Sequence, residues 1–185
     1  MFYPSMRSLM EAAAPPDREH WETVEVFGIP TMVGWRASKD RLNRAAHDGL
    51  GLRDGIPVIS SPLHKEVIQQ ELSEERYVAI GPGNDGRILV VATEWLEPDD
   101  YVQIPAIRII SVRFAEAPEI RSYQGGNVNE DQQPQMQPKP IDPDNPPLRP
   151  DAKLAPGRQQ FLKRVAVFKA KQAARQTTQE RTPVK

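Results

Sequence analysis

Residues 76–94 read RYVAIGPGNDGRILVVATE, and residues 108–114 read RIISVRF. Tyr77–Ile80 and Arg87–Thr93 are short runs rich in apolar and β-branched residues. The GPGNDG between them puts a turn residue at nearly every position, so the stretch predicts a hairpin. Arg108–Phe114 has the same character and predicts a third strand, pairing back after the longer connection DDYVQIPA. Arg108, Ile110 and Val112 would share one of its faces, with Ile109, Ser111 and Arg113 on the other.

Helical signals surround these strands. Ser38–His47 (SKDRLNRAAH) predicts a helix with Ser38 as N-cap and Asp48–Gly49 closing it. His64–Leu72 predicts a second helix, and Glu116–Tyr123 a closing one with Pro118 in its first turn. Glu22–Ile29 alternates acidic and apolar residues, as an edge strand ending before Pro30 would. The expected class is α+β, a small antiparallel sheet with helices packed on one side.

The 185-residue chain carries 24 basic and 25 acidic side chains, a net charge of −1. That figure averages two unlike parts. Residues 1–124 hold 13 Lys and Arg against 19 Asp and Glu, a net −6, whereas residues 125–185 hold 11 against 6, a net +5. Past Gly125–Gly126, prolines recur from Pro134 to Pro156 among Gln, Asp and Asn, which offer nothing to bury, so this stretch reads as a disordered linker. Beyond it, Phe161, Leu162, Val165 and Phe168 fall on one side of a helix with lysines and arginines mostly elsewhere. Such a helix is marginal alone and needs a partner surface. The expected organisation is an N-terminal extension (1–30), an α+β domain (31–124), a Pro-rich linker (125–158) and a basic amphipathic helix and tail (159–185).

Absence of Cys excludes disulfides, thiol nucleophiles and Cys-ligated zinc, and fits a reducing cytoplasm. No apolar run approaches the roughly 18–20 residues that span a bilayer. The start of the chain has short apolar stretches broken by proline, which argues against a cleaved export signal. His20 and His64 read as surface residues, and no His/Asp cluster has metal-ligand spacing, so no metal or cofactor is expected. Trp21 and Trp35 read as core anchors rather than base-stacking platforms.

Arg87 and Arg108 on neighbouring strands, with Glu94 and His47 unassigned, fit a phosphate-binding acid–base site. The plainer alternative is that these arginines are solvated or paired with carboxylates. A resemblance bears on the choice. Trp35-x3-Lys39-x3-Asn43-x3-His47, Glu75-Arg76, Ile80-Gly81, the GRILVV that starts at Gly86-Arg87, Thr93-Glu94, the RIISVR of Arg108–Arg113, and Glu119 with Tyr123 together resemble the BrnT family of toxins. The likeness runs from about Gly34 to Gln124. It departs at Arg36, Ala46 and Asp48, where the family pattern has Asp, Lys and no intervening residue.

This resemblance implies a RelE-like, metal-independent endoribonuclease, neutralised by a cognate antitoxin, with RNA as substrate and operator DNA as a target of the toxin–antitoxin complex. Its reaction would be attack of an RNA 2′-hydroxyl on the adjacent phosphate, which needs a base, cations for the phosphoryl oxygens and an acid for the leaving oxygen. It implies Arg113, Arg87 and Arg108 in the cationic role, Glu94 or His47 for protons, and Lys39 on backbone phosphate. An acidic body is poor for RNA, because phosphate attraction supplies most nonspecific affinity. The basic tail, through Lys163, Arg164, Lys169 and Lys171, would supply that attraction to RNA or DNA, or else fold back on the body, or extend into solvent. The alternative to an enzyme is a noncatalytic binding module on the same fold.

Overall fold

The computed structural model describes residues 17–69, 76–97, 104–125 and 155–180. Seven strands form one sheet: β1 (Glu19–Val26), β2 (Ile29–Arg36), β3 (Lys65–Gln69), β4 (Arg76–Pro82), β5 (Ile88–Trp95), β6 (Ala106–Phe114) and the two-residue β7 (Ala155–Pro156). Their order is β1-β2-β6-β5-β4-β3-β7, antiparallel except for the β2–β6 pair. The helices are α1 (Ala37–Ala46), α2 (Ile56–Ser60) preceded by a 3-10 turn (Leu52–Gly55), α3 (Ala117–Gln124) and α4 (Gly157–Glu180).

The expected hairpin and third strand are present as β4, β5 and β6. β5 is buried along most of its length, as its unbroken ILVVAT run requires of a central strand covered on both faces. One face carries Ala79, Leu89, Val91, Ile109 and Val112 against Leu52, Val58 and Ile59 of the 3-10 turn and α2. The other carries Val78, Ile80 and Val90 against Tyr123 of α3. The helices therefore do not all lie on one side: α3 packs on the face opposite α2.

Two local expectations are corrected. The Glu22–Ile29 strand is two: Phe27 (φ 53°) and Gly28 (φ 81°) make a two-residue turn, and β2 continues through Pro30. Positive φ at both positions matches the turn twist that tight hairpins favour. The Phe27 ring is held against His64 and Phe161, with centroids 5.5 Å away in each case. The helix expected from His64 begins instead as β3, whose Val67 faces the α3 side while Glu66 is buried by charge pairing. Residues 70–72 of that expectation lie outside the described residues.

Ser38 is inside α1 rather than its N-cap. Its hydroxyl and amide donate to Asp17 at 2.6 and 2.9 Å, so the Asp17 carboxylate, from outside the helix, satisfies the first turn. These bonds, the hydroxyl's first, hold the Asp17 carboxyl below its ordinary value.

Asn43 explains the position of α1. β2 pairs with β6 only as far as Gly34↔Arg108, which leaves the β6 edge open beyond. The Asn43 amide closes it: Val112 N–H donates to Oδ1 at 3.0 Å, and Nδ2 donates to Val112 O at 2.7 Å and to Leu50 O at 2.9 Å. The Ser111 hydroxyl adds a bond to Oδ1 at 3.2 Å. Asn43→Ala orphans these buried backbone groups, at about 1–3 kcal/mol each before water enters. A loss of about 2–4 kcal/mol in urea unfolding is expected; a loss under about 1 kcal/mol would show that the edge repairs itself.

The C-terminal helix docks. Phe161, Val165 and Phe168 are buried, and the first two pack with Val26 and Ile107 while Trp95, Phe27 and Ile29 flank them. Leu162, expected on the same stripe, is exposed, because the buried spacing is i, i+4, i+7 from Phe161. Residues 126–154, which include most of the expected disordered linker, lie outside the described residues.

Candidate active site

Register places four residues in one row across four strands: Trp21↔Gly34, Gly34↔Arg108 and Arg108↔Glu94. Their sequence neighbours Trp95 and Ile107 point to the other face, against α4. The row is therefore on the face that α4 leaves uncovered. Arg108 Nη1 donates to Glu94 at 2.5 Å and Nη2 to Glu19 at 3.1 Å, with roughly a quarter of each side chain exposed for Arg108 and Glu94. A partly buried guanidinium can bind a phosphoryl oxygen while the carboxylate beside it accepts a proton.

The other expected site residues do not converge on this pair. Arg113 is five residues along β6, roughly 15 Å at strand rise. It is 8% exposed, and its two terminal nitrogens donate to Glu119 at 2.7 and 2.6 Å, with a further bond to Phe114 O. Glu119 Oε2 also accepts the Glu116 amide, closing the N-terminus of α3. The Tyr123 hydroxyl, one turn on, donates to Leu63 O at 2.9 Å, and burial pushes this phenol above its ordinary value. Glu119 and Tyr123 thus fasten α3 to the sheet.

Arg87 sits at the far end of β5, roughly 20 Å from Glu94 at strand rise. Its Nε donates to Asp85 at 2.6 Å, and its guanidinium lies 4.1 Å from the Phe114 ring centroid. Arg87's side-chain and backbone bonds hold the Asp85 carboxyl below its ordinary value. Lys39 and His47 are half-buried, one turn before and after Asn43, about 6 Å along the axis in each direction.

On α4, Lys163 and Lys169 are exposed and Lys171 binds Glu97 at 2.6 Å. Arg164 is turned inward. It donates to Glu66 and lies between Tyr77 and Trp95, with ring centroids 4.1 and 5.1 Å from the guanidinium. His64, expected on the surface, is 2% exposed beneath the same contact. Its Nε2 is 3.1 Å from Glu66 and its Nδ1 is 2.7 Å from Ser61 O. A Cβ on Gly157 would run into the His64 ring, so the glycine lets α4 start that close. This cluster went unread because no sequence spacing links His64 and Glu66 to Arg164.

Trp35 packs against the main core cluster, as expected of an anchor. Trp21 does not: its ring lies on the Gly34 backbone, half-exposed, in the Arg108 row. Among the described residues, no three His, Asp or Glu side chains are grouped to hold a metal.

The family model for BrnT, the ribonuclease toxin of type II toxin-antitoxin systems, matches residues 35–119. Over residues 35–119 the chain is similar to the BrnT family. No curated protein matches the chain. The BrnT-type segment contains β3 to β6 and α1, together with Glu94, Arg108 and Arg113. β1, most of β2, β7 and α4 lie outside it. β1 and α4 meet at Val26 and Phe161, so the flanking elements close over one side of the matched domain. No described helix is long and apolar enough to cross a membrane.

Proposed function

We propose that this protein is a metal-independent endoribonuclease toxin, held in check by a cognate antitoxin in the cytoplasm. The Glu94–Arg108 pair, on the sheet face opposite α4 within the BrnT-like segment, is the observation that carries this reading. Glu94 accepts the 2′-hydroxyl proton as the 2′-oxygen bonds to phosphorus and the bond to the 5′-oxygen breaks. Arg108 holds the crowded phosphoryl oxygens, where fixed positive charge lowers the barrier most. The leaving 5′-oxygen takes a proton from water, because His47, one turn beyond Asn43, does not reach this pair. Lys39 contacts a flanking phosphate. Lys163, Lys169 and Lys171 add the cationic surface that the acidic body lacks, and the toxin–antitoxin complex binds operator DNA.

Cleavage by this route leaves a 2′,3′-cyclic phosphate and a 5′-hydroxyl, and persists in EDTA. Arg108→Ala and Glu94→Gln are each expected to lower cleavage of an end-labelled transcript about 100-fold or more, the scale of losing a positioned charge or base. Induction of the wild type arrests growth, and induction of either variant does not. Purified, folded wild type that leaves RNA intact would overturn the proposal.

The second reading is a noncatalytic binding module on this fold, acting through its basic C-terminal helix. Arg87, Arg108 and Arg113 each carry a carboxylate partner, which favours it. Tolerated high-level expression, with nucleic-acid binding lost on Lys163→Ala and Lys169→Ala, would select it.

A further inference from the structure

The row that contains Glu94 and Arg108 begins at Trp21, which is outside the family match and unassigned by it. Any side chain at position 34 would collide with the Trp21 ring, so Gly34 lets the indole lie flat on the sheet. Its Nε1 donates to Glu19 at 3.2 Å, which fixes the in-plane rotation. Trp21 belongs to none of the three core clusters, whereas Trp35 and Trp95 each pack against one. A large ring is thus held flat without being used to fill the interior.

Arg108 lies beside it, with the guanidinium 5.9 Å from the ring centroid. Glu94 and Glu19 occupy Nη1 and Nη2, but the buried Nε has no hydrogen-bond partner. That Nε is enclosed, so an arriving acceptor meets the exposed part of the guanidinium, about a fifth of the side chain. A π-surface next to a partly exposed arginine fits one ligand class well: an unpaired nucleotide, with its base on the indole and its phosphate oxygen on the guanidinium.

The geometry points to Trp21 as the stacking platform of a single-stranded RNA subsite, seating the base next to the phosphate that Arg108 binds. This rests on the ribonuclease reading of the same face and extends it to a residue supplied by the N-terminal hairpin. Stacking tolerates sequence, because every base has a π-face, so the subsite selects single strands over duplexes rather than one base over another.

Fluorescence anisotropy with the full chain tests it. The probe is a labelled 2′-O-methyl oligonucleotide of mixed sequence, which cannot undergo 2′-hydroxyl attack. Trp21→Ala is expected to weaken binding about 10-fold or more, and Trp21→Phe to stay within about 3-fold of wild type. An abasic version of the probe binds wild type and Trp21→Ala alike, which a purely structural role for the indole would not produce. Equal affinity of wild type and Trp21→Ala for the intact probe overturns the subsite, as does an equal loss on the abasic probe. Wild type that binds the probe yet cleaves no RNA overturns the nuclease reading and leaves the subsite standing. Wild type that binds no probe overturns both.

Discussion

Phe161→Ala is expected to lower the unfolding free energy by about 3–5 kcal/mol, the usual cost of emptying a buried phenylalanine site. Phe161 is 2% exposed and touches the Phe27 and Trp95 rings at centroid distances of 5.5 and 5.4 Å. Those rings come from the β1–β2 turn and β5, so one side chain joins three parts of the chain distant in sequence. Total stability of a domain is about 5–15 kcal/mol, so this change removes a large share. Leu162→Ala, one residue on and exposed, should cost within about 0.5 kcal/mol. The Lys171–Glu97 bridge is also exposed and should contribute at most about 1 kcal/mol. Urea unfolding followed by circular dichroism separates the three; a Phe161→Ala midpoint equal to wild type would show that α4 is not part of the cooperative unit.

The same packing decides what removal of residues 126–185 would report. α4 covers the face that carries Trp95 and Ile107, and the Glu94–Arg108 row is on the other face, so the helix does not occlude that pair. Truncation would instead bare Val26, Ile107 and Trp95 and leave the buried Glu66 carboxylate without Arg164. An unpartnered buried charge and an exposed apolar patch both push toward unfolding and association. Loss of cleavage in the truncated chain would therefore report lost fold rather than a catalytic role for the tail.

What the sequence disclosed depended on how local each signal was. β4, β5 and β6 were legible because their apolar runs and the GPGNDG turn lie within a few residues of each other. α4 was legible as a stripe in search of a surface, but the surface was not, since it is assembled from Val26, Trp95 and Ile107. The β1–β2 turn was missed because Phe27-Gly28 lacks the Asn-Gly or Asp-Gly signature, its Phe being held at positive φ by ring contacts. β3 was misread because a charged Glu66 argues against burial until His64 and Arg164 are seen around it. Among candidate site residues, sequence spacing singled out the arginines but could not say which carboxylate each would meet. Arg113 and Glu119 are six residues apart on a strand and a helix, and only the turn of chain between them makes them partners.

That pair carries the other large effect. Arg113→Ala and Glu119→Ala should each cost about 3–5 kcal/mol, because removing one member strands the other's charge in a buried site. Glu119→Ala loses in addition the acceptor for the Glu116 amide at the start of α3. Replacing both at once, as Arg113→Met with Glu119→Leu, removes the charges together and should recover most of the loss. The double variant decides what Arg113 does. Growth arrest lost in Arg113→Ala alone is equally expected of a catalytic arginine and of an unfolded toxin, so that variant cannot distinguish them. If the double variant unfolds near the wild-type midpoint and still cleaves RNA, Arg113 serves the fold, and the phosphate falls to Arg108. If it is as stable and cleaves at least about 100-fold more slowly, Arg113 reaches the substrate despite its partner, and the Glu119 contact must open during turnover.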